Sequence, residues 1–156
     1  MSDASGGFVL RPGEGRRIDL GSFAVKVKAG GEQTGGAFTL IETEEAVLGA
    51  GPPLHVHRDA AESFYVIEGE YLMHLDGRDF ACPADSFVYV PRGLPHTFKV
   101  TIPGSRKLNL YTPAAMEGYF EDLAEALTGG VDDDGLAEIG ARYAMEVLGP
   151  PPEGYL

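Results

Sequence analysis

The stretch "HVHRDAAESFYVIEGE", residues His55–Glu70, places two of the chain's four histidines one residue apart. Alternate residues of a β-strand point to the same face, so His55 and His57 are predicted to project side by side, about 6–7 Å apart at the backbone. Two imidazoles at that spacing can converge on one metal ion. Glu62 follows after the short polar turn "RDAA", which allows the chain to return toward the same site.

The residues after Glu62 predict the wall of a pocket. If Glu62 opens the next strand, it shares a face with Phe64 and Val66. A carboxylate followed by two apolar side chains is what the lining of a metal site would look like. The alternative is that the two histidines and Glu62 are solvated surface groups, and the spacing of this stretch alone leaves that alternative open.

A second segment, "VPRGLPHTF" (residues 90–98), favours a metal site. Pro91 is predicted to end a strand, Gly93 permits a tight turn, and Pro95 fixes the backbone immediately before His96. His96 is then predicted to start a new strand with Phe98 on its own face. A third histidine delivered by such a specified turn is hard to explain as a solvated surface group.

Short apolar runs alternate with turn residues from Phe8 to about Pro113, which predicts antiparallel β-structure. The run "SFAVKVKAG" (residues 22–30) has the period of a half-buried strand. Asp76-Gly77 predicts a type I′ hairpin, because both central residues of that turn need positive φ. The runs "HTFKVTI" and "RKLNLYT" are predicted to pair around Pro103-Gly104. Many short strands at regular spacing are typical of a sandwich or barrel.

The periodicity changes in the C-terminal part of the chain, which predicts two helices. The first begins with Thr112 as N-cap and Pro113 as its first residue. One apolar stripe at helical spacing follows, made of Met116, Tyr119, Phe120, Leu123 and Leu127. The second helix begins at the acidic run of residues 132–134 and is predicted to end at Gly149-Pro150. The stripe is expected to pack on the outer face of the barrel or over its mouth, where Tyr119 or Phe120 could contact a substrate.

Composition excludes some partners. The 156 residues carry a net charge of −12, which argues against nucleic-acid and anionic-membrane partners. The opening residues lack the pattern of a signal peptide, no apolar run approaches the roughly 20 residues of a membrane span, and Cys82 has no second cysteine to pair with. These features predict a cytoplasmic location. His74 alternates with apolar residues and is expected outside the barrel.

The two histidine segments resemble the motifs of the cupins. The first cupin motif runs Gly-x5-His-x-His, three or four residues, Glu, six residues and Gly, and its spacing is matched by Gly49, His55, His57, Glu62 and Gly69. The second runs Gly-x5-Pro-x-Gly-x-x-His-x3-Asn, and is matched at Pro91, Gly93 and His96. Asp85 stands at the first glycine of that motif, in a turn conformation that Asp tolerates, and Val100 replaces the asparagine.

The resemblance implies an all-β fold, a double-stranded β-helix or jelly-roll barrel with two C-terminal α-helices. Residues 1–156 would form a single cupin domain, with the barrel over about residues 8–113 and the helical segment over about 114–149. The segments "GPPLHVHRDAAESFYVIEGE", "VPRGLPHTF" and "YTPAAMEGYF" to "ARYAMEVLGPP" are similar to the small quercetin-dioxygenase-like cupins. A homodimer is also implied, with the outward Leu72 and the N-terminal segment as candidates to cover a sheet edge.

The resemblance further implies one divalent metal ion held by His55, His57, Glu62 and His96. Three imidazoles and one carboxylate would leave two open positions on a six-coordinate ion, as in catalytic sites. The ligand set suits Fe, Mn, Ni, Co or Zn. Glu62 is the expected catalytic residue, as ligand or base. The expected substrate pocket is lined by Phe64, Val66, Phe98 and Leu110.

Three functions fit this site. The first is an oxygenase acting on a small apolar or phenolic substrate, either flavonol-like or a diketone. The second is a zinc-type Lewis-acid isomerase or polyketide cyclase. The third is a non-enzymatic cupin that binds a small molecule or a metal. A redox-active native metal would favour the first, zinc the second, and a sealed pocket with no open coordination position the third.

Overall fold

The computed structural model describes residues 6–150, so most of the opening stretch considered for a signal peptide lies outside the described residues. Within the described range the chain forms eleven β-strands and two α-helices. In chain order they are β1 (Arg16–Asp19), β2 (Phe23–Ala29), β3 (Thr39–Glu45), β4 (Leu54–His57), β5 (Ala61–Glu68), β6 (Glu70–Leu75), β7 (Arg78–Pro83), β8 (Phe87–Val90), β9 (His96–Val100), β10 (Ser105–Thr112), α1 (Glu117–Thr128), α2 (Asp133–Arg142) and β11 (Met145–Gly149).

The strands form two antiparallel sheets. One has six strands in the order β1-β2-β3-β10-β5-β8, and the other has five in the order β11-β4-β9-β6-β7. β1, β2 and β3 are consecutive neighbours in the first sheet, and β6 and β7 in the second, whereas the chain changes sheets at most of the other connections from β3 to β11. This arrangement is the two-sheet jelly roll, so the predicted all-β fold with two C-terminal helices is confirmed.

Two turn predictions are confirmed, and one strand pairing is wrong. Asp76 and Gly77 join β6 to β7 with φ of 45° and 82°, and Asp85 has φ of 71°. By contrast, β9 and β10 do not form a hairpin around Pro103-Gly104. β9 pairs with β4 and β6, while β10 pairs with β3 and β5. Two adjacent runs of strand-forming residues cannot reveal that the chain changes sheets between them.

The first helix begins later than the sequence predicts. Thr112 remains in β10, paired with Ala61, and is not the N-cap. Met116 precedes the helix in a left-handed conformation with φ of 72°. Backbone hydrogen bonds from Ala114 to Gly36 and from Ala115 to the Thr39 hydroxyl hold the connecting segment. These long-range bonds override the local signal of Thr-Pro.

The second helix is shorter than predicted, and its C-terminal part is a strand. Asp132 caps α2 by accepting a hydrogen bond from the Gly135 amide at 2.8 Å, which confirms the acidic start. The helix ends at Arg142, and β11 then pairs with β4, placing Met145 opposite His57 and Val147 opposite His55. The prediction that the helical segment extends to residue 149 is therefore wrong, because residues 145–149 form a strand. Without β11, one edge of β4 would have no strand partner. Residues 145–149 ("MEVLG") therefore form a strand because they pair with that edge.

Two hydrophobic clusters fill the space between the sheets. The first is built on Val25, Ile41, Tyr111, Phe120 and their neighbours, and includes the packed face of α1. The second contains Phe64, Val66, Tyr71, Met73 and Val100. The functional side chains described below lie between these clusters. Among the described residues no helix combines the length and hydrophobicity needed to cross a membrane.

Candidate metal centre

The fold brings the four predicted ligands together from three strands. His55 and His57 lie on β4, Glu62 on β5 and His96 at the start of β9, directly opposite His55 in the sheet. All four are buried, and their ligand atoms lie within 4.8 Å of one another. Two atoms bonded to one ion at about 2.0–2.2 Å lie at most roughly 4.4 Å apart, so small side-chain movements would bring all four ligand atoms onto a single ion.

The Glu62 carboxylate is the centre of the cluster. Its Oε2 lies 2.8 Å from His57 Nε2 and 3.2 Å from His96 Nε2. The His57 contact is not aligned for a hydrogen bond, so neither ring nitrogen of this buried histidine has a hydrogen-bond partner among the described residues. A buried imidazole without partners is costly, and a metal ion would satisfy Nε2. The donor set of three imidazoles and a carboxylate therefore fits a divalent ion.

Backbone carbonyl groups orient two of the histidines. The Nδ1 group of His55 lies 2.7 Å from the Pro53 carbonyl, and that of His96 lies 2.9 Å from the Leu94 carbonyl. Each Nδ1–H donates to its carbonyl, which directs Nε2 of the same ring to the cluster. The two carbonyls precede their histidines by two residues, so the local turns that deliver the ligands also fix their tautomers.

The protonation states suit metal binding. Burial, reinforced by His96 and His57, lowers the pKa of His55 to about 3, so this imidazole is neutral at physiological pH. Burial opposes ionisation of Glu62, but the adjacent His57 and His96 outweigh it and hold the pKa of this carboxyl well below its usual range. A neutral imidazole and an ionised carboxylate are the forms that coordinate a metal.

Two residues beside Glu62 have no counterpart in the sequence analysis. Asn109 donates from Nδ2 to Glu62 Oε1 at 3.0 Å. Burial, together with the neighbouring Glu62 carboxylate, raises the pKa of Tyr111 well above its ordinary value, which keeps the phenol protonated. Both residues occupy inward positions of β10, two residues apart. The alternation in "RKLNLYT" could have revealed this polar row, since a polar side chain at an inward position needs a partner.

A cavity of about 410 Å³ adjoins the cluster. Phe64 and Phe98, two of the four residues expected to line a substrate pocket, line this cavity. Val66 lies instead in the second hydrophobic cluster and is fully buried. The prediction that Leu110 lines the pocket is wrong. Leu110 lies on the face of β10 opposite the buried Lys107, Asn109 and Tyr111. The register of β10, rather than its apolar composition, determines which of its side chains reach the cavity.

The C-terminal helices cover one side of this cavity. All five members of the predicted stripe line it, namely Met116, Tyr119, Phe120, Leu123 and Leu127, and Leu136 of α2 joins them. Of the two locations considered for the stripe, the structure places it over the barrel mouth. Tyr119 and Phe120 thus lie within the same cavity as the four-ligand cluster.

His74 lies outside this cluster. It alternates with the buried Tyr71 and Met73 on β6, and its Nδ1 is 2.6 Å from Oδ1 of Asp79 on the neighbouring strand β7. Its side chain is 13% exposed, so it is covered more than a freely solvated group. The prediction that His74 lies on the outer face of the sheet is consistent with this position.

A second polar network lies farther along the same cavity. The fully buried Lys107 donates from Nζ to Glu45 Oε1 at 2.9 Å and to the Thr43 hydroxyl at 2.5 Å. The Tyr71 hydroxyl donates to the other oxygen of Glu45. Nζ also lies 4.2 Å from the centre of the Phe98 ring, as in a cation–π contact. This network was not anticipated, because "KVK" and "RKL" contain several lysines and nothing in sequence marks the buried one.

Comparison with known proteins agrees with the fold and the cluster. A model of the Cupin domain family matches residues 43–106, the region that contains all four clustered side chains. Quercetin 2,3-dioxygenase of Bacillus subtilis is 32% identical over 93 residues, which cover 60% of this chain and 27% of that protein. The chain thus spans about a quarter of the length of this relative. Residues 43–106 thus match the Cupin domain family, and the same stretch contains the buried His/His/Glu/His cluster that could hold a metal ion.

Solved structures share the fold at lower identity. KdgF from Halomonas sp. superposes with a TM-score of 0.62 at 17% identity, covering 69% of this chain and 94% of KdgF. An RmlC-like cupin from Shewanella frigidimarina gives a TM-score of 0.60 at 19% identity, covering 70% of this chain and 93% of the other. The cupin fold hosts many activities, so these likenesses concern architecture alone.

Proposed function

We propose that the protein is a metal-dependent oxygenase that acts on a small apolar or phenolic substrate, either flavonol-like or a diketone. The observation that carries this proposal is the cavity of about 410 Å³, which joins the four-ligand cluster to an aromatic and aliphatic lining. Such a cavity suits a compact planar molecule. The likeness to quercetin 2,3-dioxygenase over 93 residues supports the same class of reaction.

The charges around the cavity support a neutral or weakly acidic substrate. Among the described residues that line it, Lys107 is the one Lys or Arg side chain, and it is already paired with Glu45. A strongly anionic substrate would therefore find no unpaired lysine or arginine in the wall. A phenol or enol can instead approach the metal cluster through the apolar part of the cavity.

The residues of the cluster have distinct roles in the proposed reaction. When bound, a divalent ion supplies Lewis acidity and, for a redox-active metal, a route for electrons to O₂. His55 and His96 keep their Nε2 atoms on the cluster through their backbone hydrogen bonds. Glu62 takes the substrate proton at Oε2 while Asn109 holds Oε1. Phe64 and Phe98 exclude water from the reacting groups.

Metal analysis and oxygen uptake test this function. Protein purified without added metal is expected to contain a redox-active ion, and it should consume O₂ with a flavonol or a diketone. Zinc together with substrate conversion that needs no O₂ would instead favour the Lewis-acid isomerase or cyclase. Tight binding without any turnover would favour a non-enzymatic cupin, although the cavity beside the cluster is the opposite of a sealed site.

Replacement of Glu62 by Gln is expected to weaken metal binding and to reduce activity further. The substitution keeps the shape of the side chain but removes the charge that faces His57 and His96. Loss of a ligand charge lowers affinity, and loss of the base removes a further 10²–10⁴-fold in rate, by order of magnitude. Metal per chain and turnover of the metal-loaded protein measure the two effects separately.

Glu68→Gln is the matched control for that experiment. Glu68 lies on the same strand, but its side chain is largely exposed and pairs with Arg106. It should retain both metal content and activity. Unchanged metal content and activity in Glu62→Gln would contradict the role assigned to Glu62.

We also propose that the protein is a homodimer. Phe8, Val9 and Leu10 of the N-terminal segment are exposed, as are Phe87 and Tyr89 on the edge strand β8. Leu72, considered for this role from the sequence, is half-buried. Exposed apolar side chains beside an open strand edge are candidates for contact with a second copy. Light scattering should give twice the chain mass at micromolar concentration, whereas a monomer mass throughout that range would contradict the dimer.

A further inference from the structure

The Asn109 side chain has a polar atom that the protein leaves without a partner. Asn109 is 4% exposed and lines the cavity. Its Nδ2 donates to Glu62, but its Oδ1 is buried and makes no hydrogen bond within the described part of the chain. Buried amide oxygens nearly always accept a hydrogen bond. A bound ligand could supply the donor that Asn109 Oδ1 lacks.

The orientation of this amide is determined by Glu62. An ionised carboxylate only accepts hydrogen bonds, and Glu62 must be ionised to bind a metal. The NH₂ group of Asn109 must therefore face Glu62 Oε1, which lies 3.0 Å away. The reversed amide would place two acceptor oxygens against each other. Oδ1 is consequently the atom of Asn109 that remains available to a bound substrate. The NH₂ group of the same amide is hydrogen-bonded to Glu62, one of the four residues that could hold the metal.

We propose that Asn109 Oδ1 accepts a hydrogen bond from a hydroxyl group of the substrate and so determines specificity. The substrate class would be phenols or enols that carry a second oxygen, with one oxygen directed to the metal cluster and a neighbouring hydroxyl directed to Asn109. This inference rests on the proposed function in one respect, namely that a phenolic ligand enters the cavity. A site that must hydrogen-bond a hydroxyl rejects analogues without it, because the protein acceptor would then stay unpaired.

Binding of two matched phenols tests the proposal. Catechol offers an oxygen and an adjacent hydroxyl donor, whereas guaiacol replaces that hydroxyl by a methoxy group. Dissociation constants for both are measured by calorimetry on metal-loaded wild-type protein and on Asn109→Leu. The wild type should prefer catechol, and the preference should fall by about 10-fold or more in Asn109→Leu. Metal per chain is measured in both proteins, because Asn109→Leu also removes the hydrogen bond to Glu62. At equal metal occupancy, the change in preference reports the contact of Asn109 with the phenol.

Two further variants keep this test decisive. Tyr65→Phe removes a hydroxyl from the exposed face of β5, where Tyr65 donates to Asp85, and should leave the catechol preference unchanged. Asn109→Ala replaces Asn109→Leu if the larger side chain prevents folding, as judged by metal per chain and melting temperature. An unchanged preference in the Asn109 variants would overturn the proposal, and so would failure of wild-type protein to bind either phenol.

The outcome is separable from that of the oxygenase assay. A preference for catechol that depends on Asn109, without any O₂ uptake, would support the subsite and contradict the oxygenase. O₂ uptake with an unchanged catechol preference in Asn109→Leu would support the oxygenase and overturn the subsite.

Discussion

His96→Ala is expected to lose most of its bound metal and most of the stabilisation that metal gives. His55 and His57 lie on one strand and can bind an ion weakly by themselves. His96 comes from a segment about 40 residues away and reaches them only in the folded barrel. Metal binding is therefore coupled to folding. Metal at 100 times its Kd stabilises the wild type by about 2.7 kcal/mol, or roughly 5–11 °C in Tm, and His96→Ala should lose most of this shift.

His74→Ala is the matched control for His96→Ala. His74 lies on the outer face of its sheet, away from the cluster. Its loss can change the Tm of the metal-free protein, but it should change neither metal per chain nor the shift in Tm that metal produces. Full metal occupancy in His96→Ala, or loss of metal in His74→Ala, would show that the site is assigned wrongly.

Lys107→Met is expected to destabilise the fold by about 3–5 kcal/mol. This is the cost of removing one member of a buried ion pair, because the charge of the other member is then buried without compensation. The side chains of Lys107 and Glu45 are 1% and 5% exposed, so water cannot replace the lost contact. Among the described residues, the Glu45 carboxylate would keep the Tyr71 hydroxyl as its one hydrogen-bond donor. The expected fall in Tm is roughly 6–20 °C. Urea unfolding of the metal-free protein measures the effect independently of the metal site.

The double variant Lys107→Met/Glu45→Gln separates the charge from the packing. It removes both charges and keeps similar volumes, so it should recover much of the stability that Lys107→Met loses. Glu45→Gln alone should be destabilised, because Lys107 would then be buried opposite a neutral amide. Additive losses in the double variant, or a loss below about 1 kcal/mol in Lys107→Met, would contradict the assignment of a coupled buried pair.

The metal ligands could be identified from sequence because their geometry is local. The interval between His55 and His57 is one strand repeat, and the turn before His96 is specified by Pro91, Gly93 and Pro95. Asp76-Gly77 is equally local, since two positive φ values define its turn. In each case the residues that determine the geometry adjoin the residue that is positioned.

The errors arose where distant contacts determine the conformation. "MEVLG" is compatible with a helix, yet it is a strand because β4 offers it an edge. Thr112-Pro113 has the form of a helix start, but β5 holds Thr112 in β10. Asn109 and Lys107 were missed for the same reason. Their importance depends on Glu62 and Glu45, which are 47 and 62 residues away in sequence.

The pairing of β11 with β4 has a consequence for the order of assembly during synthesis. β4 carries two of the four clustered side chains, and within the described residues its neighbours are β9 and β11. Chains emerge from the ribosome N-terminal end first, so β4 is synthesised almost ninety residues before the strand that covers its second edge. Until residues 145–149 emerge, the edge of β4 that pairs with β11 has no strand partner. The site therefore reaches its final arrangement only after β11, the last strand in the described chain, has been synthesised and has paired with β4.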